Sequence, residues 1–315
     1  PRYNTSRLYL RQTFGLGGER EKVESDLGQL SGERDISRIS IYAGKYAVQD
    51  FFDNNAYAND PRVDFLNWSI WGAGAFDYPA DNVGFTWGLT AELNQPNWAV
   101  RAGYFLVANQ PDTNVYDLDI INRSGIVGEL ELRYQPFDRK GTTRLGVWAT
   151  RAWAGSYTDA VALIPQNPGL NANDTIPLTR RARTKWGFYA SIDQELADDI
   201  GAFARLSWND GRSEILAFTD IDASLSAGVS IKGTSWGRPD DTVGLAGALN
   251  GVSPGHASYL ANGGLGLTAG DGALTYATEV VAEAYYSLRL AKGIYVTADY
   301  QFIGNPAYNA VRGPA

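Results

Sequence analysis

The stretch Phe85-Thr86-Trp87-Gly88-Leu89-Thr90-Ala91-Glu92-Leu93-Asn94-Gln95-Pro96-Asn97-Trp98-Ala99-Val100-Arg101-Ala102-Gly103-Tyr104-Phe105-Leu106 decides how this chain is read. Phe85, Trp87, Leu89, Ala91 and Leu93 are apolar, with Thr86, Gly88, Thr90 and Glu92 between them. Such strict alternation marks a strand with one apolar and one polar face. After Asn94–Asn97, a turn by composition, the alternation resumes in Trp98, Val100, Ala102, Tyr104 and Leu106. The two halves read as one antiparallel hairpin.

Working outward, the same period recurs at Leu130–Tyr134, Leu145–Ala149, Trp186–Ile192, Ile200–Trp208, Ile221–Ile231, Val280–Leu290 and Ile294–Phe302. Weaker runs lie at Arg7–Phe14, Arg38–Lys45, Leu66–Asp77 and Val243–Leu249, giving about thirteen segments. The connections divide into short turns (Asn94–Asn97, Pro136–Thr142, Leu196–Asp199, Ala291–Gly293) and long loops (Gly15–Asp35, Asn109–Arg123, Gly155–Arg181, Gly251–Ala273). Short turns at one end and long loops at the other form the pattern of an outer-membrane barrel.

The polar rows carry ionised groups at mid-strand: Glu92, Arg101, Glu129, Glu131, Arg133, Arg205 and Glu283. A small soluble barrel fills its interior with apolar side chains. Here the arrangement makes sense if the apolar rows meet lipid and the charged rows line water. Trp68, Trp98, Trp186 and Trp208 fall near segment ends, as interfacial girdles require. The competing architecture is a soluble sandwich, whose strands are usually about 5–6 residues long, shorter than most of these. The expected fold class is therefore all-β, a transmembrane antiparallel barrel. An odd strand count and an ending in Arg312-Gly313-Pro314-Ala315, before any pairing strand, lead us to expect about sixteen strands in the complete barrel. Residues 1–315 would then be a single barrel domain truncated at both ends.

Composition excludes several function classes. Among 315 residues, Lys+Arg number 27 against 35 Asp+Glu, a net charge of -8 without a dense basic run. That argues against a nucleic-acid partner. There is no cysteine, hence no disulfide framework and no thiolate metal site, and no metal or cofactor is expected. No apolar run approaches the roughly 20 residues of a spanning helix. The single histidine, His256, lies in Ser253-Pro254-Gly255-His256 and is the sole candidate base for a Ser–His–Asp site. No Gly-x-Ser-x-Gly elbow surrounds any serine, so we read His256 as a loop residue and the protein as no enzyme. Gly263-Gly264-Leu265-Gly266 has no lysine to complete a phosphate loop.

Three stretches carry a family resemblance. The first is Asp50-Phe51-Phe52-Asp53-Asn54-Asn55-Ala56-Tyr57-Ala58-Asn59-Asp60-Pro61-Arg62, followed by Phe65-Leu66-Asn67-Trp68. The second is Asp77-Tyr78-Pro79-Ala80-Asp81. The third is Asp299-Tyr300-Gln301-Phe302 with Asn305-Pro306-Ala307-Tyr308-Asn309 and Arg312-Gly313-Pro314. In order and spacing they resemble the carbohydrate-selective porin family of Gram-negative outer membranes, over essentially the whole chain. The resemblance implies a sixteen-stranded barrel passing glucose and other sugars, oligosaccharides included, by diffusion. It implies contact with outer-membrane lipid and lipopolysaccharide. Porins of this size are often homotrimers, although no strand identifies itself as a protomer contact.

Candidate pore residues follow from the residues themselves. Asp53, Asn54, Asn55, Asn59, Asp60 and Arg62 share one connection and offer both donors and acceptors, which a neutral polyol needs in exchange for its water. They form either a segment at the pore mouth or a solvated turn capping its own backbone. An anion channel would instead show a series of Arg and Lys. Parity within Leu66–Asp77 places Asn67, Ser69, Trp71 and Asp77 on the polar face, making Trp71 a stacking platform for a sugar or a ring packed on an inward loop. Arg38, Lys45, Arg101, Arg133 and Arg205 share the polar face with Glu92, Glu129, Glu131 and Glu283. They set either a transverse field or structural pairing along the wall. A general or cation-preferring porin is the alternative the acidic composition leaves open, and a non-conducting or enzymatic barrel is another.

Overall fold

The computed structural model describes residues 5–25, 29–217 and 219–315. Its strands are β1 (Leu8–Gly15), β2 (Arg20–Val23), β3 (Gly32–Asp35), β4 (Arg38–Tyr46), β5 (Thr86–Asn94), β6 (Trp98–Phe105), β7 (Gly125–Tyr134), β8 (Gly141–Ala154), β9 (Arg181–Ala197), β10 (Ile200–Asn209), β11 (Ala223–Gly233), β12 (Arg238–Gly251), β13 (Glu279–Ala291) and β14 (Ile294–Gly304). All but β2 and β3 form one twelve-stranded sheet in chain order. Every pairing in it is antiparallel, as in Glu92 opposite Arg101 and Leu93 opposite Val100. β2 and β3 make a separate hairpin. β1 and β14 are the sheet's edges, and no pairing joins them among the described residues.

The faces are inverted relative to a soluble protein. Val147 is 64% exposed and Leu245 49%, whereas Glu129, Arg205 and Glu283 are each 3% exposed or less. The rows expected to meet lipid are thus uncovered by any second layer, and the ionised rows are covered. Such an exterior is stable where the surrounding solvent is hydrocarbon. Trp87, Trp153 and Trp186 are half-exposed near the long-loop ends of their strands, and Trp98 near the short-turn end.

Two sequence expectations are corrected. Leu66–Asp77 is no strand: it contains a helical turn, α1 (Trp68–Trp71), and irregular backbone. The Asn67 side chain caps α1 by accepting from the Ser69 amide at 3.0 Å, and Gly72 follows it in extended conformation. The alternation from Leu66 to Ile70, which runs into this helical turn, mimics a strand when read by parity alone. The two-face assignment of Asn67, Ser69, Trp71 and Asp77 lapses with it, and Trp68 is no strand-end girdle residue. The second correction concerns Gly15–Asp35. Gly15 pairs with Arg38, and Arg38 with Asn94, so this excursion lies at the short-turn end. Asn94 Nδ2 donates to the Ile36 carbonyl at 2.8 Å, and Ser37 Oγ bonds Gln95 at 3.1 Å. The long end instead carries residues 47–85, 106–124, 155–180, 210–222 and 252–278.

The lumen is packed rather than open along its whole length. Residues 47–85 fold inward from the long-loop end and carry apolar side chains against the wall. Phe52, Phe76 and Tyr78 meet Phe105, Trp148 and Tyr189. Phe65 and Ile70 join Phe203 and Tyr285. Wall glycines make room for this segment: a Cβ on Gly201 would lie 2.0 Å from the Tyr57 ring, and one on Gly125 2.0 Å from Pro79.

Val147→Arg should lower the unfolding free energy in lipid vesicles by about 2–4 kcal/mol, the cost of a lipid-facing cation near the midplane. Val147→Leu should change it by less than about 1.5 kcal/mol. Urea titration followed by tryptophan fluorescence reads both. An arginine variant as stable as wild type would show that this face does not meet hydrocarbon.

Candidate pore site

The inward segment has little regular structure, so its backbone polar groups need partners from the wall. Glu129 on β7 accepts from the Asp53 amide at 2.8 Å. Glu283 on β13 accepts from the Leu66 and Asn67 amides, the latter at 2.9 Å. Ser207 on β10 accepts from the Ala75 amide at 2.9 Å, and Asn209 donates to the Ala75 carbonyl at 3.0 Å. Arg205 is the central clamp. It donates to Asp53 Oδ1 at 2.9 Å, to the Ile70 carbonyl at 2.9 Å and to the Ala58 carbonyl at 2.6 Å.

A second set of charges forms a band across five neighbouring strands. Arg101 on β6 bonds Glu92 on β5 at 2.7 Å, and Glu129 and Glu131 on β7 at 2.7 and 2.9 Å. Glu131 also receives Arg133 at 2.8 Å and Arg144 on β8 at 3.1 Å. Arg144 continues to Asp193 on β9. The band alternates in sign because opposed residues on neighbouring strands sit close enough to pair.

Beside the band lies a cavity of 710 Å³ between β1, β4, β5, β6 and the inward segment. Of the residues singled out from sequence, Arg38, Asn54, Asn59, Asp60, Arg62, Trp71, Glu92 and Arg101 line it. Trp71 is half-buried there, packed against the aromatic cluster around Phe52 and Phe76. Arg62 holds the Asp60 carboxyl below its ordinary range through their hydrogen bonds, so Asp60 stays ionised at neutral pH. Arg62 also reaches a second cavity of 480 Å³, where Tyr57, Asp64 and Lys232 contribute.

The other candidates sit elsewhere. Asp53 and Asn55 are buried against the wall, Asn55 donating to Ser191 Oγ at 3.1 Å. Asn67 caps α1 and donates to Gln301 at 3.2 Å. Asp77 is buried 3.3 Å from Lys185 and accepts from the Leu216 amide at 3.1 Å. Glu129 and Glu131 serve the clamp and the band, and Arg133 reaches Asn94 at 2.6 Å. Lys45 is buried 3.4 Å from Asp81 and over the Tyr116 ring, away from the cavity. Its spacing of seven from Arg38 reverses strand parity, so the two do not share a face. His256 is fully buried in the loop core, 3.0 Å from Asp222 and stacked on Tyr157, rather than in a solvated loop.

Sequence reasoning missed Arg7, Tyr9, Arg11, Gln29, Arg34, Tyr42, Gln49 and Phe51, all of which line the cavity. Tyr9, Tyr42 and Phe51 form a ring cluster with centroids 4.3–6.4 Å apart. Parity held the signal for four of them. Arg7, Tyr9 and Arg11 alternate with Leu8 and Leu10, and Tyr42 is four residues from Arg38.

A lipid-facing antiparallel sheet, an inward-folded connection and a charged, aromatic-lined lumen define an outer-membrane barrel of the porin class. Residues 4–315 match the model of the carbohydrate-selective porin, OprB family, and the chain belongs to that family of Gram-negative outer-membrane proteins. The high-pH structure of Pseudomonas putida OprB is similar at TM-score 0.66 and 19% identity, over 86% of this chain and 66% of that one. The outer membrane channel DcaP of Acinetobacter baumannii is similar at TM-score 0.50 and 12% identity, over 87% of this chain and 69% of that one. At these identities the likeness concerns the fold. This chain spans just under two thirds of the OprB chain's length. No curated protein matches it significantly.

Arg205→Met should release the inward segment. Leaving Asp53 buried without its cation costs about 3–5 kcal/mol, and single-channel conductance in planar bilayers should rise. Arg205→Lys, which keeps the charge but not the fork, should fall between. Unchanged conductance in Arg205→Met would mean that the clamp does not set the pore.

Proposed function

We propose that this chain supplies most of the wall of an outer-membrane pore through which glucose and related sugars diffuse, without catalysis. The observation that carries the proposal is the 710 Å³ cavity, which sets a ring cluster beside amides and charged hydrogen-bonding groups inside a lipid-facing sheet. Pyranoses present an apolar C–H face and a rim of hydroxyls. Tyr42, Phe51 and Trp71 offer surfaces to the first, and Asn54, Asn59, Asp60, Arg62 and Glu92 partners to the second. The Arg101 band holds the wall side of this site in fixed geometry, so less ordering is left for the solute to drive.

Closure of the sheet requires both edges, β1 and β14, to find strand partners, because unpaired backbone groups cannot face hydrocarbon. We propose further strands completing about sixteen, and a homotrimer as the assembly in a lipopolysaccharide-containing membrane. The acidic net charge of -8 is the one observation that favours a cation-preferring pore. Against it, arginines outnumber carboxylates six to three among the cavity's lining residues.

In planar bilayers, glucose and maltose should block the reconstituted ion current, and a similar-sized non-sugar should not. Sugar that leaves the current unaltered would overturn the substrate class. Trp71→Ala should weaken glucose block by about 0.5–1.5 kcal/mol, roughly 2- to 12-fold in half-blocking concentration. An unchanged value would remove Trp71 from the site.

A further inference from the structure

The charges around the cavity do not cancel evenly. Arg7 is matched by Asp50 at 2.6 and 2.8 Å, and Arg62 by Asp60. Arg101 is matched by three carboxylates of the band. At the short-turn end the balance fails. Arg34, from β3, and Arg38, from β4, both donate to one oxygen, Glu21 Oε1, at 2.7 and 2.9 Å. Arg11, on β1, has no carboxylate within ion-pair distance among the described residues. Among the described residues, Glu21 is thus the one carboxylate within ion-pair distance of these three guanidiniums, with Glu92 acting on Arg38 from farther off.

That surplus lies against the rings. Arg11 pairs in register with Tyr42, whose ring lies 4.3 Å from that of Phe51. One wall thus offers an aromatic face and adjacent guanidinium forks with hydrogen-bonding capacity to spare. A guanidinium matches the two oxygens of a carboxylate in its own plane, which an ammonium does not.

We propose that this end of the cavity selects acidic sugars, a pyranose bearing a carboxylate, over neutral ones. The ring stacks on Tyr42 and Phe51, and the carboxylate takes the donors that Arg11, Arg34 and Arg38 leave unfilled. The inference rests on the sugar-pore reading and narrows its substrate class.

The test compares half-blocking concentrations of glucuronate and glucose for the protein reconstituted in planar bilayers at pH 7. Glucuronate should block at a concentration about tenfold lower, the worth of one charge-assisted hydrogen bond. That ratio should shrink when salt rises from roughly 0.1 to 1 M, which shortens the screening length from about 10 to 3 Å. Arg11→Gln combined with Arg34→Gln should bring the ratio towards one. Glucuronate that blocks no better than glucose overturns this inference and leaves the sugar pore standing. A ratio unmoved by the double substitution overturns it as well. Failure of both compounds to block overturns the inference together with the reading beneath it. The wild-type ratio decides even where the double variant fails to assemble.

Discussion

Irregular backbone at membrane depth survives only where protein or water answers its amides and carbonyls. Residues 53–75 meet that demand with side chains from three strands, β7, β10 and β13. Glu129, Arg205, Ser207, Asn209 and Glu283 each bond main-chain atoms of the inward segment. Everything else about the lumen follows from this exchange. The segment can cross the barrel because the wall is charged, and the charge can be buried because the segment covers it. Arg205 brings both halves together, since it neutralises Asp53 and caps the carbonyls of Asp53, Ala58 and Ile70 at once.

The two charged systems have different tasks. The clamp is buried and addresses backbone, so it sets shape. The band from Glu92 to Asp193 addresses side chains and leaves Arg101 and Glu92 on the cavity surface, so it sets field. Aromatic packing separates solute from the clamp: Phe52, Phe76 and Tyr189 occupy the volume that a simple aqueous tube would leave open. The larger of the two open volumes lies on the side walled by β1, β4, β5 and β6. A solute entering there would meet rings and guanidiniums together rather than in sequence.

Much of the fold was legible in the sequence because strand geometry has one unambiguous period. Phe85–Leu106 yields β5, its turn and β6 nearly to the residue. The same rule misread Leu66–Asp77, where Asn67 begins a helical turn and no neighbouring strand exists to enforce a pleat. The site was legible in part. Arg38, Glu92 and Arg101 follow from parity on strands, and the same rule would have found Arg11 and Tyr42. Asn54 and Asn55 are adjacent and chemically identical, yet one lines the cavity and the other bonds Ser191. Only the path of the inward segment separates them. Gln29 and Arg34 come from Gly15–Asp35, read from its length as one of the long loops but lying at the short-turn end, and composition gave no reason to fold it over the pore.

The glycines at 125 and 201 act as sockets, receiving Pro79 and Tyr57. A socketed segment cannot slide along the barrel axis by a fraction of a residue, so the channel's profile is quantised. Drift on the outer surface, where Val147 and Leu245 merely contact fluid acyl chains, is free to proceed one residue at a time. Drift on the inner surface has to be paired, a larger residue in the wall with a smaller one in the segment. Natural variation in this protein should therefore be independent outside and correlated inside, with position 201 tied to position 57 and position 125 to position 79.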